Sequence, residues 1–338
     1  MPVNQDYTRN YMATIYDVAA KAGVSTYTVS AVINRSAYVS PELTARVEQA
    51  VTELDYTINH LARSLQTRQT MTVGMLMPDI DNPFYAKAVR GAEDKLREAG
   101  YSLLLGNTNN SIDEQTRYLK LFRARQIDGI ILVLAAGDQA EVDRAVKSGK
   151  PIVFAARLPN MEADSVTADN VGGAEMAVAH LIKKGHKHVA IVTGNKDTST
   201  GNDRIIGWQQ ALTGQGLQAP PQYIVECDWT TQTAFEATKK FLLSADPRPT
   251  AFFVANLLMM IGVVRAIAEA GLKCPQDIEI ASCDDADWLE VFQPPITTIA
   301  QPAYAIGFEA AALLLKRMKN PKQEITQTVL KPVLHVRQ

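Results

Sequence analysis

The sequence predicts an α/β protein: an N-terminal three-helix helix-turn-helix domain and a hinge helix, then two lobes built on parallel sheets. Three observations carry this. The stretch TIYDVAAKAGVSTYTVSAVIN, from Thr14 to Asn34, orders its caps and apolar positions as two short helices around a tight corner. From Met71 onward, short apolar strands alternate with longer amphipathic helices. The length, 338 residues, exceeds one ordinary core, so two or three compact units are expected.

Thr14 opens the first helix as its N-cap, with Asp17 three positions on to complete a capping box. Ile15, Val18, Ala19 and Ala22 form its apolar stripe, Gly23 stops it, and Ser25 caps a second helix after a turn filled by Val24. On that second helix Val29, Val32 and Ile33 point inward, while Thr26, Tyr27, Ser30, Ala31 and Asn34 share the opposite, exposed strip. Ser40 and Pro41 start a third helix whose Leu43, Val47, Ala50, Val51 and Leu54 make one apolar face. A strip of small, hydrogen-bonding side chains suits the major groove of DNA; an ordinary helical hairpin with its polar face in water is the plain alternative. Charge does not decide between them. The whole chain has a formal charge of −2, and Lys21, Arg35, Arg46, Arg63 and Arg68 are balanced by Asp17, Glu42, Glu48, Glu53 and Asp55.

Residues before Met12 show no periodicity and read as a tail, and Met12 could equally be the natural start. After Tyr56 comes TINHLARSLQTRQT, a polar segment in which only Leu61, Ala62 and Leu65 make an apolar stripe, either a marginal helix or a linker. In the core, MTVGMLM, YSLLLG, GIILVL and PIVFAA read as strands separated by helices over 84–99, 114–125 and 139–148. HVAIV, QYIVE, AFFVA and IEIAS repeat the pattern with helices over 172–184, 204–214, 233–244 and 259–270. Strict alternation implies parallel sheets covered on both faces, and so many strands imply two sheets side by side with a ligand crevice at their strand ends.

Hydrophobic content of 46% and charged content of 21% describe a globular protein. The absence of an eighteen-residue apolar run, together with the start MPVNQDYTRNY, leads to the expectation of a cytoplasmic protein without a membrane partner. Cys227, Cys274 and Cys283 are far apart and without metal or redox spacing, so buried reduced thiols are expected. Neither a phosphate loop, a nucleophile elbow nor a dinucleotide fingerprint is found, which disfavours an enzyme and leaves no cofactor or metal to expect. His186 and His188 lack a third ligand nearby, and the neighbours Asp284 and Asp285 face opposite ways at a strand end.

TIYDVAAKAGVSTYTVSAVIN, followed by ARSL and later by PDIDNPFY and DD…PPITTI, resembles the lactose-repressor (LacI/GalR) family of bacterial transcription regulators. The resemblance runs from about residue 12 to the last strand, with the motifs in order. It implies a DNA-binding domain over 12–57, a hinge over 58–70 and a periplasmic-binding-protein-like core over 71–338. Within the core, lobe 1 would hold about 71–169 and 301–329, and lobe 2 about 170–300 and 330–338. The expected DNA contacts are Thr14, Tyr16, Ser25, Thr26, Tyr27, Thr28, Ser30, Ala31 and Asn34, with Asn59, Ala62 and Leu65 in the hinge, where Leu65 matches the family's minor-groove wedge. Ile58 stands where the family usually has Pro.

For the crevice the candidate ligand residues sit where strands end and helices begin: Asn82, Phe84 and Tyr85 after the first core strand, and Arg157 near the crevice; the resemblance implies Arg204, Trp229, Asn256 and Asp284 as well. Helix capping by the asparagines and core packing by Phe84 and Tyr85 are their plain alternatives. Arg204 reads as a cation at a helix start, against the dipole, gripping a ligand from the crevice mouth opposite Asp284. Leu257 stands where Asp or Asn commonly follows Asn256, and Ala156 and Arg157 where Asp is frequent, which favours an anionic ligand. The expectation is therefore a homodimeric regulator, a repressor, that binds an approximately palindromic double-stranded DNA operator under control of a small sugar or sugar-acid effector. The chain ends at HVRQ with no heptad repeat after it, so a dimer without an added tetramer helix is expected. A solute-binding protein of a transport system is the alternative; it shares the lobes but would need an export signal and would lack the first 68 residues.

Overall fold

The computed structural model describes residues 13–34, 36–56, 69–137 and 139–337, so the hinge candidates Asn59, Ala62 and Leu65 lie outside the described residues. Two compact units divide at Thr70 and Met71. In the first, α1 (Ile15–Ala22), α2 (Thr26–Asn34) and α3 (Pro41–Glu53) close over Val18, Ala19, Ala22, Val29, Val47 and Ala50. Thr14 and Asp17 form the reciprocal capping box, and Gly23 takes the left-handed conformation (φ 64°) that a helix stop requires. Arg46 of α3 donates to the Ala22 carbonyl at 2.5 Å, tying the third helix to the corner between the first two. Val32 and Ile33 pack against this core from its rim. Ala31 departs from its expected place on the exposed strip, because it is only 2% exposed. A lone methyl does not clear the longer side chains one helical turn away, so the right angular position does not make it accessible.

The second unit holds two six-stranded sheets. Lobe 1 runs β1 (Thr72–Met77), α4 (Pro83–Glu98), β2 (Ser102–Asn107), α5 (Ile112–Ala124), β3 (Gly129–Leu132), α6 (Ala140–Lys147), β4 (Ile152–Ala155) and β5 (Ser165–Ala168). Lobe 2 runs α7 (Asn170–Lys183), β6 (Val189–Thr193), α8 (Ser199–Gly214), β7 (Ile224–Glu226), α9 (Thr231–Ser244), β8 (Ala251–Val254), α10 (Leu257–Glu269), β9 (Glu279–Cys283) and β10 (Thr297–Ala300). The chain then returns to lobe 1 as α11 (Ala303–Lys319) and β11 (Gln327–Leu330), and ends in lobe 2 with β12 (Val333–His335). The first sheet has the order β11-β5-β4-β3-β1-β2 and is parallel throughout. The second has the order β12-β10-β9-β8-β6-β7, with only β12 antiparallel. Three crossings therefore join the lobes.

Both returns are pinned by ions. Arg317 on α11 grips Asp164 with two donors at 2.6 and 3.0 Å, and the same carboxylate accepts from the Thr326 amide at 2.9 Å, which seats β11 beside β5. Asp285 accepts from His335 Nδ1 at 2.7 Å and Thr298 at 2.9 Å, and Arg337 lies 3.0 Å away, which seats β12 beside β10. Strict alternation fails at three places: β5 follows β4 and β12 follows β11 with no helix between them, and only a 3-10 turn (Asp287–Glu290) separates β9 from β10; the four residues of β5 are held by the returning β11 on one side. Among the cysteines only Cys283 is buried; Cys227 and Cys274 are half-buried, and all three are free. Burial pushes their thiols up, to about 11 for Cys227 and about 12 for the other two, so they stay protonated.

Candidate functional site

A cavity of about 200 Å³ opens between the strand ends of the two lobes, and all eight crevice residues expected from the sequence line it. Lobe 1 supplies Asn82, Phe84 and Tyr85 from the start of α4, and Arg157 from just beyond β4. Lobe 2 supplies Arg204 from α8, Trp229 after β7, Asn256 after β8 and Asp284 after β9. The two asparagines also serve as caps: Asn82 accepts from the Phe84 amide at 3.0 Å and Asn256 from the Met259 amide at 2.7 Å. Capping and cavity lining coincide here, since a strand-to-helix turn places the N-cap at the crevice edge.

Backbone strain is concentrated around the same space. Eight described residues other than glycine have positive φ, and five of them, Asn109, Asn110, Ala156, Trp229 and Asp284, line the cavity. Trp229 lies flat against Gly194, where an added Cβ would come within 2.0 Å of the indole. The guanidinium of Arg157 stands 5.2 Å from the centre of that indole and the guanidinium of Arg204 5.9 Å. Arg157 donates to Asn110 Oδ1 and to the Leu134 carbonyl, each at 2.7 Å, and Arg204 donates to the Ala255 carbonyl and, at 2.9 Å, to Asn170 Oδ1. Asp284 accepts from Gln301, on a lobe crossing, at 2.6 Å. Burial pushes the Asp284 carboxyl and the Tyr85 phenol above their ordinary values, with Arg204 and Arg157 respectively pulling back.

Two expectations about Arg204 need correcting. It is not a helix-start cation, because α8 begins at Ser199 and Arg204 falls in its second turn, past the reach of the first-turn dipole. Nor do Arg204 and Asp284 guard a mouth; at 4% and 5% exposure they lie in the interior of the cavity wall. Asp285 points away from the cavity into the ion pairs of β12, and His186 bonds Glu279 at 2.9 Å while His188 is exposed.

On the first unit, Tyr16 and Tyr27 are 73% and 74% exposed. Thr14, Ser25 and Asn34 are also exposed, and Thr26, Thr28 and Ser30 half-buried. Ser25 Oγ accepts from the Thr28 amide at 3.1 Å as N-cap of α2, and Asn34 donates to the Ser30 carbonyl at 2.9 Å. The two tyrosines are thus the large aromatic side chains that α1 and α2 hold out.

Residues 14–59 match the model of bacterial regulatory proteins of the lacI family, and residues 178–338 that of periplasmic binding protein-like domains. The ribose operon repressor of Escherichia coli (strain K12) is 37% identical over 327 residues, 96% of this chain and 98% of the relative. The chain belongs to the LacI family. Catabolite control protein A of Priestia megaterium is 38% identical over 307 residues, covering 90% of this chain and 92% of that one. Among solved structures, the lac repressor dimer bound to operator and the anti-inducer ONPF superposes with a TM-score of 0.85 at 27% identity, over 96% and 97% of the two chains. A CelR–cellobiose complex gives 0.74 at 31% identity, over 96% and 98%.

As a LacI-family member the chain is a DNA-binding transcriptional regulator, and these relatives span its first module as well as its lobes, which removes the solute-binding-protein alternative. Asp79, Asn109, Asn110, Thr200, Asp228 and Gln301, which are not among the residues expected from the sequence, also line this LacI-family cavity. Asp79 after β1, Asn109-Asn110 after β2 and Asp228 after β7 carry a local cue, since each follows the end of a strand. Thr200 and Gln301 reach the cavity only through helix placement and a lobe crossing.

Proposed function

We propose that this regulator is a homodimeric repressor that reads an approximately palindromic operator through α2 and is controlled by a small sugar or sugar acid held between its lobes. The convergence of eight side chains, four from each lobe, on one cavity carries the reading of the effector site. Relatives described as a ribose operon repressor and a cellobiose complex support a polyhydroxylated ligand. The asparagines and Asp284 supply acceptors for its hydroxyls, and Trp229 an apolar face for its ring. Tyr27, with Thr26, Thr28, Ser30 and Asn34, would meet the major groove, Thr14, Tyr16 and Ser25 the backbone beside it, and Asn59, Ala62 and Leu65 the minor groove. Lobe closure would change the spacing of the paired hinges and so the fit of both half-sites.

The test combines both sites in the full chain. Duplexes selected from a randomised pool give the operator, and Tyr27→Ala should then cost about 1–3 kcal/mol on it with little loss on random DNA. A thermal-shift panel of sugars, sugar acids and phosphosugars gives the effector, whose stabilisation and effect on operator binding should disappear in Asp284→Asn. Equal losses on both DNAs sink the α2 assignment; effector action untouched by Asp284→Asn sinks the cleft assignment.

A further inference from the structure

We infer that the effector is an anion, its charged group seated against Thr200, Arg204 and Trp229 on lobe 2 and met from lobe 1 by Arg157. This deepens the reading of the cleft as the effector site and rests on it. Eight buried polar side-chain atoms among the described residues have no hydrogen-bond partner, and three of them belong to residues of this cavity: Thr200 Oγ1, Arg204 Nε and Trp229 Nε1. Thr200 and Arg204 are 7% and 4% exposed, so neither is served by bulk water. Two of these three atoms can only donate, and the hydroxyl can turn to do so. A ligand hydroxyl can accept from such donors but brings a proton of its own, whereas the oxygens of a carboxylate or phosphate only accept, which suits a lining with several free donors. Thr200 is also the second residue of α8, a sixteen-residue helix whose amino-terminal end favours negative charge.

Charge points the same way. Arg157 and Arg204, each 4% exposed, are held by carbonyl and amide oxygens, and among the described residues neither has a carboxylate as ion-pair partner. Two guanidinium groups from opposite lobes thus flank one indole, which disfavours lobe approach until an anion comes between them. The lining carboxylates fill that role only in part. Asp284, buried and bonded by Gln301, is attracted to Arg204 without forming a direct ion pair with it, while Asp79 is half-buried and Asp228 exposed, where water screens them. They are placed for the hydroxylated part of a ligand whose charged end lies deeper.

The probes are inorganic phosphate, acetate, ribose and glucose, titrated into the full chain at constant ionic strength with melting temperature as readout. At least one of the two anions should stabilise the protein saturably. That affinity should fall about tenfold or more in Arg157→Leu and in the near-isosteric Thr200→Val, as expected for loss of a hydrogen bond to a charged group, and should be partly kept in Arg157→Lys. Phosphate outperforming acetate would mark a phosphate ester as the natural ligand, and the reverse a sugar acid. The inference is overturned if neither anion gives a saturable shift, or if both Arg157→Leu and Thr200→Val leave it unchanged. Thr200→Val keeps the test decisive should the arginine variant fail to fold. Stabilisation by ribose or glucose that Asp284→Asn removes would keep the cleft as effector site even with the anion subsite refuted.

Discussion

Gly194 shows how a missing side chain builds a binding wall. Trp229 rests on its backbone, and a Cβ there would lie 2.0 Å from the indole, so Gly194→Ala must push the ring into the cavity. The expected outcome is a stability loss of about 1–3 kcal/mol from overpacking, together with a changed tryptophan emission and weakened effector binding, read by thermal melts and fluorescence titration. An unchanged emission spectrum and affinity would mean that Trp229 does not form the wall. Residues of this kind mark the boundary of what the sequence makes legible. Asn82, Trp229, Asn256 and Asp284 could be picked out because each stands where an apolar strand gives way to a helix or loop, a local signal. Thr200 could not, since its hydroxyl meets the cavity only because α8 starts five residues earlier than apolar periodicity suggests. Arg157 and Arg204 were legible as residues, but their shared indole depends on two lobes meeting, which no spacing encodes. Ala31 failed at the same scale, because a helical wheel gives direction and not accessibility.

Between elements, the closest approach in lobe 1 is the crossing of α4 and α11. A Cβ on Gly91 would stand 2.0 Å from the Tyr304 carbonyl, and one on Gly307 1.8 Å from the Ala88 carbonyl, so two glycines let the backbones touch. Because the obstacle is backbone rather than a flexible side chain, Gly307→Val should destabilise the core by at least about 1–3 kcal/mol and leave the first unit's own fold intact. Hydrogen exchange resolved by segment checks this: protection should drop in α4 and α11 and hold in α1 to α3, and a variant as protected as the parent in α4 would refute the crossing. The helices themselves were legible from caps and periodicity, as the Thr14–Asp17 box and the Gly23 stop illustrate. The strands β5 and β11 were harder, since each has four residues and they pair with each other across more than 150 residues, which leaves only a weak local pattern.

For the molecule as a whole, the second lobe is held together by carboxylates whose charge matters at neutral pH. Burial alone would raise Asp285, but bonds from Thr298 and His335 and the charge of Arg337 outweigh it and hold its carboxyl below the ordinary 3.8. Glu279 is likewise held below the ordinary 4.5, as Lys184 and His186 outweigh its burial. For a carboxyl lowered on folding, the stabilisation is fully present above the unfolded value and is lost as pH falls through the folded one. Asp284, one residue away, is shifted the other way by burial and does not share in this loss. The core should therefore melt at a nearly constant temperature in mildly acidic to neutral solution and lose stability steeply once pH drops below the ordinary carboxylate range. Asp285→Asn should lower the melting temperature at neutral pH by about 2–4 °C for each kcal/mol lost, because it frees β12 and with it the last lobe crossing. In acid the parent loses the same charge, so the gap between the two proteins should close. A gap that stays constant from neutral pH into acid would show that Asp285 holds β12 by shape and not by charge, and that the ion pairs of His335 and Arg337 contribute nothing to the joining of the lobes.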